Sequence, residues 1–482
     1  MKITVIPLDS RPCNYSWVEK FAKIATIELA IIPIESTGTM HQGFCFEKHK
    51  KWLIENSKNS DYLIVSIDAL VSGGLIQARK AMMNVEKSFE DLNVFKVIRR
   101  SNPNIKIYIF DTIMRTSITT ASNITKVYWE KMNQYSKLLG DYYFSQDESI
   151  KIRLNKLEKE IPQDIIDTYL LARNKKHQIN LKLCEMVNEN IIDDLLLLQE
   201  DSMAGGIQRA ESDILLQYVK SNGLEEKISI YNGTDEGTLV LLSKILMLNI
   251  KEKTKVHVLL SDELIKYKVM PFEDRSLQEN YQKLMNVIDF ENASYDESKY
   301  ILAIYSEAEY NYDLNLDTTD AIIPNKNRKF KIFTSRINQA IKDGKKLVFV
   351  DLLHPNGGSI EVLSELDYHN LLGYSAWNTA SNSLGSALAV IALDSYKNSD
   401  LSSFLFERII DDCLYQTYVR REINQLLLSE GVNIYDIPLF ELNRVLILIK
   451  EKLKNISKEY LNFNFKVILP WARTFEIDID LE

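Results

Sequence analysis

Short, nearly continuous apolar runs recur along this chain, and segments with helical apolar spacing separate them. The runs are KITVIPL (Lys2 to Leu8), IELAIIPI (Ile27 to Ile34), DYLIVSIDAL from Asp61, NIKIYIFDT from Asn104, LLLLQED (Leu195 to Asp201) and KISIYNGTDEG from Lys227. A strand with one wet face alternates polar and apolar residues, and these do not. They must be covered on both faces, which crossover helices achieve only around a parallel sheet. The expectation is an α/β protein whose N-terminal domain, residues 1–250, is built on a parallel sheet, either TIM-barrel-like or doubly wound.

After the charged break KEKTK (Lys251 to Lys255) the pattern resumes in KVHVLLSDE, KYILAIYSEAE and KLVFVDLLHPNGG, with helical segments between. This predicts a second, smaller three-layer α/β domain over residues 251–395. GYSAWNTASNSLG begins as a polar loop and turns into an Ala-rich helix. Residues 396–482 read as a helical C-terminal segment closed by a loop, PWARTFE, and a short strand. At 482 residues the chain is too long for one ordinary core.

The formal net charge of −9 excludes a broad basic surface for nucleic acid. No apolar run approaches the roughly 20 residues that a membrane helix needs. Met1 leads straight into a strand-like run with no secretory pattern, so the expected location is cytoplasmic. The Lys runs around His49 and Asn174 read as solvated helix ends. Cys13, Cys45, Cys184 and Cys413 lie far apart without CxxC spacing, which suits reduced thiols better than disulfides or zinc. Phosphate loops of the GxGxxG or Walker kind and the GxSxG nucleophile turn are missing from the sequence.

In open or closed parallel sheets, ligands bind where strands end and loops lead into helices. Asp9, Asp68, Asp111, Asp201, Asp235 and Glu236 all fall at that edge. Glu200 and Asp201 enter a turn with Gly205-Gly206, and Asp235 and Glu236 repeat the arrangement in GTDEG. Each pair can act on a ligand, or supply one acid that caps the following helix. Asp235 is the natural cap there, which leaves Glu236 without a structural job. Arg209 and Glu211 follow on the next helix as supporting groups.

Asp9 and Arg11, Asp68, Asp111 and Arg115 are candidates to bind hydroxyls or a carboxylate. Trp377 offers a stacking face, Asn378 and Asn382 offer donors and acceptors, and Arg473 is placed in a polar tail segment. His354 beside Asp351 is a weaker candidate base, since a lone His before Pro is usually structural.

PLDSRP at Pro7, EDSMAGGIQRAE, GTDEG at Gly233, YSAWNTASNSLG at Tyr374 and PWARTFE at Pro470 together resemble domain-of-unknown-function family 4127, over essentially the whole chain. Its members show PLDxRP, a paired-acid turn, GxDE, GWNTxxNxLG and PWxRTFE. Glu200 stands where that pattern has Asp, and Ala376 where it has Gly. The resemblance implies no established reaction.

Paired strand-end acids are what glycoside cleavage requires, one group protonated and one ionised. The expectation is therefore a glycosidase-like hydrolase acting on a small polar, carbohydrate-derived substrate, with Asp201, Asp235 and Glu236 as its catalytic acids. Asp9, Arg11, Asp68, Asp111, Arg115, Glu200, Trp377, Asn378, Asn382 and Arg473 would bind the substrate. No resident cofactor or metal set is expected, although the same acids could serve a Mg or Mn enzyme. A two-domain binding protein without catalysis is the third alternative.

Overall fold

The structure, a computed structural model, describes residues 1–80, 84–119, 123–308, 324–461 and 464–481. It divides into two compact units: Met1–Leu241 with Phe272–Arg275, and Leu242–Pro271 with Ser276–Glu482.

Each apolar run of the first unit is a strand: β1 (Lys2–Ile6), β2 (Glu28–Ile31), β3 (Tyr62–Ser66), β4 (Lys106–Ile113), β5 (Asp194–Gln199) and β6 (Ile228–Asn232). All pair in parallel, in the order β2-β1-β3-β4-β5-β6. The edges are β2 and β6, so the sheet is open and doubly wound, and the barrel alternative falls away. The chain steps outward from β1 to β2 and then crosses back to β3. Strand order thus reverses between β1 and β3, and the gap between their ends is where such sheets hold ligands.

Leu195 to Leu198 show why β5 has no alternation, since all four side chains are fully buried between the layers. Burying each contributes about 1.5–3 kcal/mol. Among its described residues the long connection from β4 to β5 carries three helices, Asn123–Ser145, Glu148–Glu158 and Gln163–Asn188. They gather a satellite core around Met132, Tyr135, Leu157 and Tyr169.

The second unit carries β7 (Lys255–Leu260), β8 (Glu291–Asn292), β9 (Tyr300–Tyr305), β10 (Lys346–Asp351) and β11 (Gly373–Ser375). These are parallel in the order β11-β10-β9-β7-β8. Counted from β7, the unit repeats the layout of the first sheet up to its fifth strand, with its own reversal between β7 and β9. The sequence shows three of these strands. The other two are only two and three residues long, and Gly373–Ser375 reads by composition as loop.

The boundary lies inside the helix Gly237–Leu248 and not at residue 250. The segment 396–482 belongs to the second unit: Phe406, Ile410, Leu414, Ile449 and Val467 share one hydrophobic cluster with Phe349 of β10 and Tyr374 of β11. β12 (Phe465–Ile468) and β13 (Asp478–Leu481) close it as an antiparallel pair. Among the described residues no helix is long and apolar enough to cross a membrane.

A glycine sets one close contact of this core. A Cβ at Gly358 would overlap the Tyr374 hydroxyl, and that ring is buried and stacked on Phe349 at 6.1 Å between centroids. Gly358→Ala is expected to cost about 1–3 kcal/mol in urea denaturation. Adding Tyr374→Phe should return at least half of that loss, and an unchanged loss in the double variant would mean that the strain lies elsewhere.

Candidate active site

The exit of β1 places Asp9 and Arg11 in the interior of the first unit, 1% and 7% exposed. Arg11 grips two acids at once. Its Nε lies 3.0 and 2.9 Å from the Asp9 carboxylate oxygens, and its Nη1 and Nη2 reach the two oxygens of Asp235 at 2.9 and 2.5 Å. Asn14 Nδ2 donates a further bond to Asp9 at 3.1 Å. Burial works against the Arg11 charge, but Asp235 and Asp9 outweigh it and hold the guanidinium well above its ordinary pKa.

At the exit of β5, Glu200 is buried and paired with Arg79, whose Nε stands 3.2 Å away and whose Nη1 also reaches Thr119 Oγ1 at 3.1 Å. Asp201 pairs with Arg115, and its side chain keeps a quarter of its surface, 25%, exposed. Its backbone sits at φ +32°, a left-handed conformation unusual for a side-chain-bearing residue. Its carbonyl is fixed by the amide and hydroxyl of Thr116 at 3.3 and 3.0 Å. Burial first, then the neighbouring Arg115 charge, pulls the Arg79 pKa well down. Arg11 adds to that pull, and Asp201 and Asp235 oppose it. Arg11, Arg79 and Arg115 therefore form one electrostatic group with these acids.

The glycines after Asp201 answer a different need from the one expected. Gly205 and Gly206 pack against Gly140 of the helix Asn123–Ser145, where a Cβ would strike the backbone of the turn. Their close approach is to a helix.

At the exit of β6 the roles of the two acids are reversed from expectation. Glu236, fully buried, accepts the Thr234 amide at 3.0 Å and ties the turn that leads into Gly237–Leu248. Asp235 turns instead to Arg11.

Asp68, just past β3, and Asp111, inside β4 two residues before its end, are both fully buried and take Lys176 as their shared partner. Thr112 Oγ1 donates to Asp68 at 2.6 Å, and Asn180 Nδ2 donates to Asp111 at 2.7 Å. One turn earlier Arg173 holds Glu211 at 2.9 and 2.5 Å and the Arg115 carbonyl at 2.6 Å. Arg173, Lys176 and Asn180 thus line one face of Gln163–Asn188, three and four residues apart. In the Asn174–Lys176 run, which lies mid-helix, Asn174 is exposed and Lys176 buried, and in the other Lys run His49 is buried while Lys48 and Lys51 are exposed. Burial, with Asp68 adding and Lys176 opposing, pushes the Asp111 carboxyl up to about 7.

Sequence reasoning also missed Asp274. It comes from Phe272–Arg275 and sits between the exits of β5 and β6, where Gln199 and Asn232 donate to its two oxygens at 2.7 and 2.9 Å. The Asn232 amide also reaches Ser202 Oγ at 2.5 Å. Nothing local marks this acid, which lies 75 residues from Gln199.

The remaining candidates belong to the second unit. Trp377 Nε1 donates to Ser386 Oγ at 2.9 Å, and Asn378 Nδ2 donates to Asn382 Oδ1 at 2.7 Å. Asn356 and Asn378 are both left-handed, at φ +62° and +51°, and the Asn356 amide donates to the Asn378 carbonyl at 2.8 Å. Asp351 accepts the Leu353 and Ser359 amides at 3.0 and 2.8 Å, and burial raises it to about 7. His354 is buried beside this turn. Arg473 pairs with Glu476 at 2.8 Å and lies 4.5 Å over the Trp471 ring.

Asp9, Asp68, Asp111, Glu200, Asp201 and Asp235 each face a guanidinium or an ammonium. Among the described residues no group of three or more His, Cys, Asp or Glu is placed to hold an ion.

Two variants probe the buried charges. Lys176→Met strands two acids, and is expected to cost about 3–5 kcal/mol at pH 8 and less at pH 5, where the raised Asp111 carboxyl is protonated. The Asp111 carboxyl is raised from its ordinary 3.8 to about 7 in the fold. Its contribution is complete below pH 4 and is lost as pH rises through 7. Asp111→Asn should therefore flatten the fall in stability between those pH values, measured by urea denaturation; an unchanged slope would assign the proton to another group.

Comparison with curated proteins gave no match, and neither did comparison with solved structures. One family model, described as "Protein of unknown function (DUF4127)", matches residues 3–480. With essentially its whole length covered, the chain belongs to that family.

Proposed function

We propose that the chain is a glycosidase-like hydrolase acting on a small polar, carbohydrate-derived substrate at the strand exits of its first unit. The observation that supports this most is the charge balance there. Four carboxylates, Asp9, Glu200, Asp201 and Asp235, stand against three guanidiniums, Arg11, Arg79 and Arg115, and Glu236 and Asp274 lie at the same strand exits, so acids outnumber the guanidiniums that grip them. A surplus negative charge in a water-poor site favours the oxocarbenium-like transition state of glycoside cleavage.

Asp201 is the acid with access to solvent, so it takes the proton of the attacking water, while the departing oxygen draws its proton from solvent and leaves as the alcohol. Arg115 pairs with it and aims it. Asp235, locked by Arg11, contributes fixed charge, and Glu236 shapes the turn beneath it. Glu200 and Arg79 fix the other side of the acidic turn. The acidic net charge suits a small soluble substrate in the cytoplasm better than nucleic acid.

The test is a panel of aryl glycosides and short oligosaccharides, followed by release of aryl alcohol or reducing sugar. Asp201→Asn should lower kcat about 10²–10⁴-fold with the thermal transition unchanged, while Arg115→Lys should lower it less. Wild-type protein inert toward every glycoside, or an Asp201→Asn variant with full kcat, would sink the proposal.

A further inference from the structure

Phe272–Arg275 belongs to the first unit, although the chain on either side of it belongs to the second. This short strap meets the acidic turn after β5. The Phe272 carbonyl accepts the Ser202 amide at 2.9 Å, and that amide is the other end of the peptide group whose carbonyl, that of Asp201, is held by Thr116 at 3.3 and 3.0 Å. The peptide after Asp201 is thus gripped at both of its polar ends. Because a peptide group is planar, holding it fixes ψ of Asp201 and with it the direction in which the side chain leaves the backbone. Phe272 itself is left-handed at φ +67°, and a bulky residue keeps such a backbone only where its surroundings enforce it.

Asp274 supplies that enforcement. Gln199 Nε2 donates to one of its carboxylate oxygens at 2.7 Å and Asn232 Nδ2 to the other at 2.9 Å. Gln199 and Asn232 are register partners at the last positions of β5 and β6, so one carboxylate bridges two strand ends and pins the strap to both. Asn232 Nδ2 also reaches Ser202 Oγ at 2.5 Å. Asp274 is therefore connected to Ser202 twice, through the backbone of the strap and through Asn232. Arg209 Nη1 and Arg275 Nε stand 3.8 Å from the carboxylate, beyond hydrogen-bonding distance. The Asp274 side chain is fully buried, which suits a group that acts through another residue.

We propose that Asp274 is a positioning residue: it anchors the strap whose Phe272 carbonyl fixes the peptide after Asp201, and so sets where the Asp201 carboxylate points. Its effect on turnover rests on the reading of Asp201 as the acting acid of a hydrolase, whereas its hold on the turn does not. Asp274→Ala removes both acceptors and frees the strap. Asp274→Asn keeps one oxygen in place and is the conservative variant.

Hydrogen exchange of the full chain at pH 7, read by peptide mass spectrometry, tests the hold directly. In Asp274→Ala the peptide covering residues 200–206 should exchange at least about tenfold faster than in wild type, with a smaller rise in Asp274→Asn and no change in the peptides of β1 and β3. Unchanged exchange of the turn in both variants overturns the proposal, and so does a uniform rise across the first unit, which would mark a general loss of stability. On a glycoside that the wild type cleaves, Asp274→Ala should lower kcat about 10²-fold with KM held within about threefold, and Asp274→Asn should fall between the two. A loosened turn beside a full kcat also overturns it. A wild type inert toward every glycoside sinks the hydrolase reading alone, because the exchange comparison still decides whether Asp274 holds the turn.

Discussion

A carboxylate moved from water into a protein interior loses several kcal/mol of hydration unless a counter-charge and hydrogen bonds replace it. The carboxyl ends of the first sheet are arranged around that requirement. Arg11 reaches from the exit of β1 to the exit of β6 and holds Asp9 and Asp235 together in two planar forks, which only a guanidinium can supply. Arg79 and Arg115 do the same for the acidic turn after β5. Lys176 does it for β3 and β4 from a helix whose hydrophobic side packs on the sheet. Every strand exit in this row except that of β2 is thereby connected to another exit or to a helix by charge, and none can move without uncovering an ion. The candidate site is rigid for that reason.

Rigidity and chemistry are divided among residues of the same kind. Asp235 and Glu236 are adjacent, yet one is locked by a guanidinium and the other by a backbone amide. Asp201 differs in keeping part of its side chain in solvent, on a turn whose left-handed backbone aims it. The second unit follows the same strand order with different residues at its reversal point, where Asp262 pairs with Lys329 and Lys268 donates to Ser306 and to the Glu307 carbonyl. Two sheets of one layout therefore carry unlike residues at their strand ends, and function resides in such residues and not in the fold.

The strands were legible because burial on both faces erases alternation, and that is a local property. β8 and β11 were not, being two and three residues long and held in place by their neighbours more than by their own composition. The acids at the strand ends were equally visible, but their partners were not. Lysine and arginine on a helix usually face water, so Arg173 and Lys176 looked like ordinary surface residues until packing showed which side of the helix meets the sheet. Asp274 follows the same logic from a short return segment. The Gly205-Gly206 turn packs on Gly140, a contact between elements that are more than sixty residues apart in the chain and that no local pattern marks.

By itself the sequence determined the class of fold, the row of strand-end acids and the family motifs, because apolar periodicity and strand exits are written within windows of ten or so residues. Tertiary structure alone decided that the first sheet is open and which acid faces which cation. Arg11 and Asp235 are 224 residues apart, and their pairing depends on the order in which strands lie side by side. A charge in a sequence carries no sign of its partner, since Coulomb attraction acts through space and only the folded chain sets the distances.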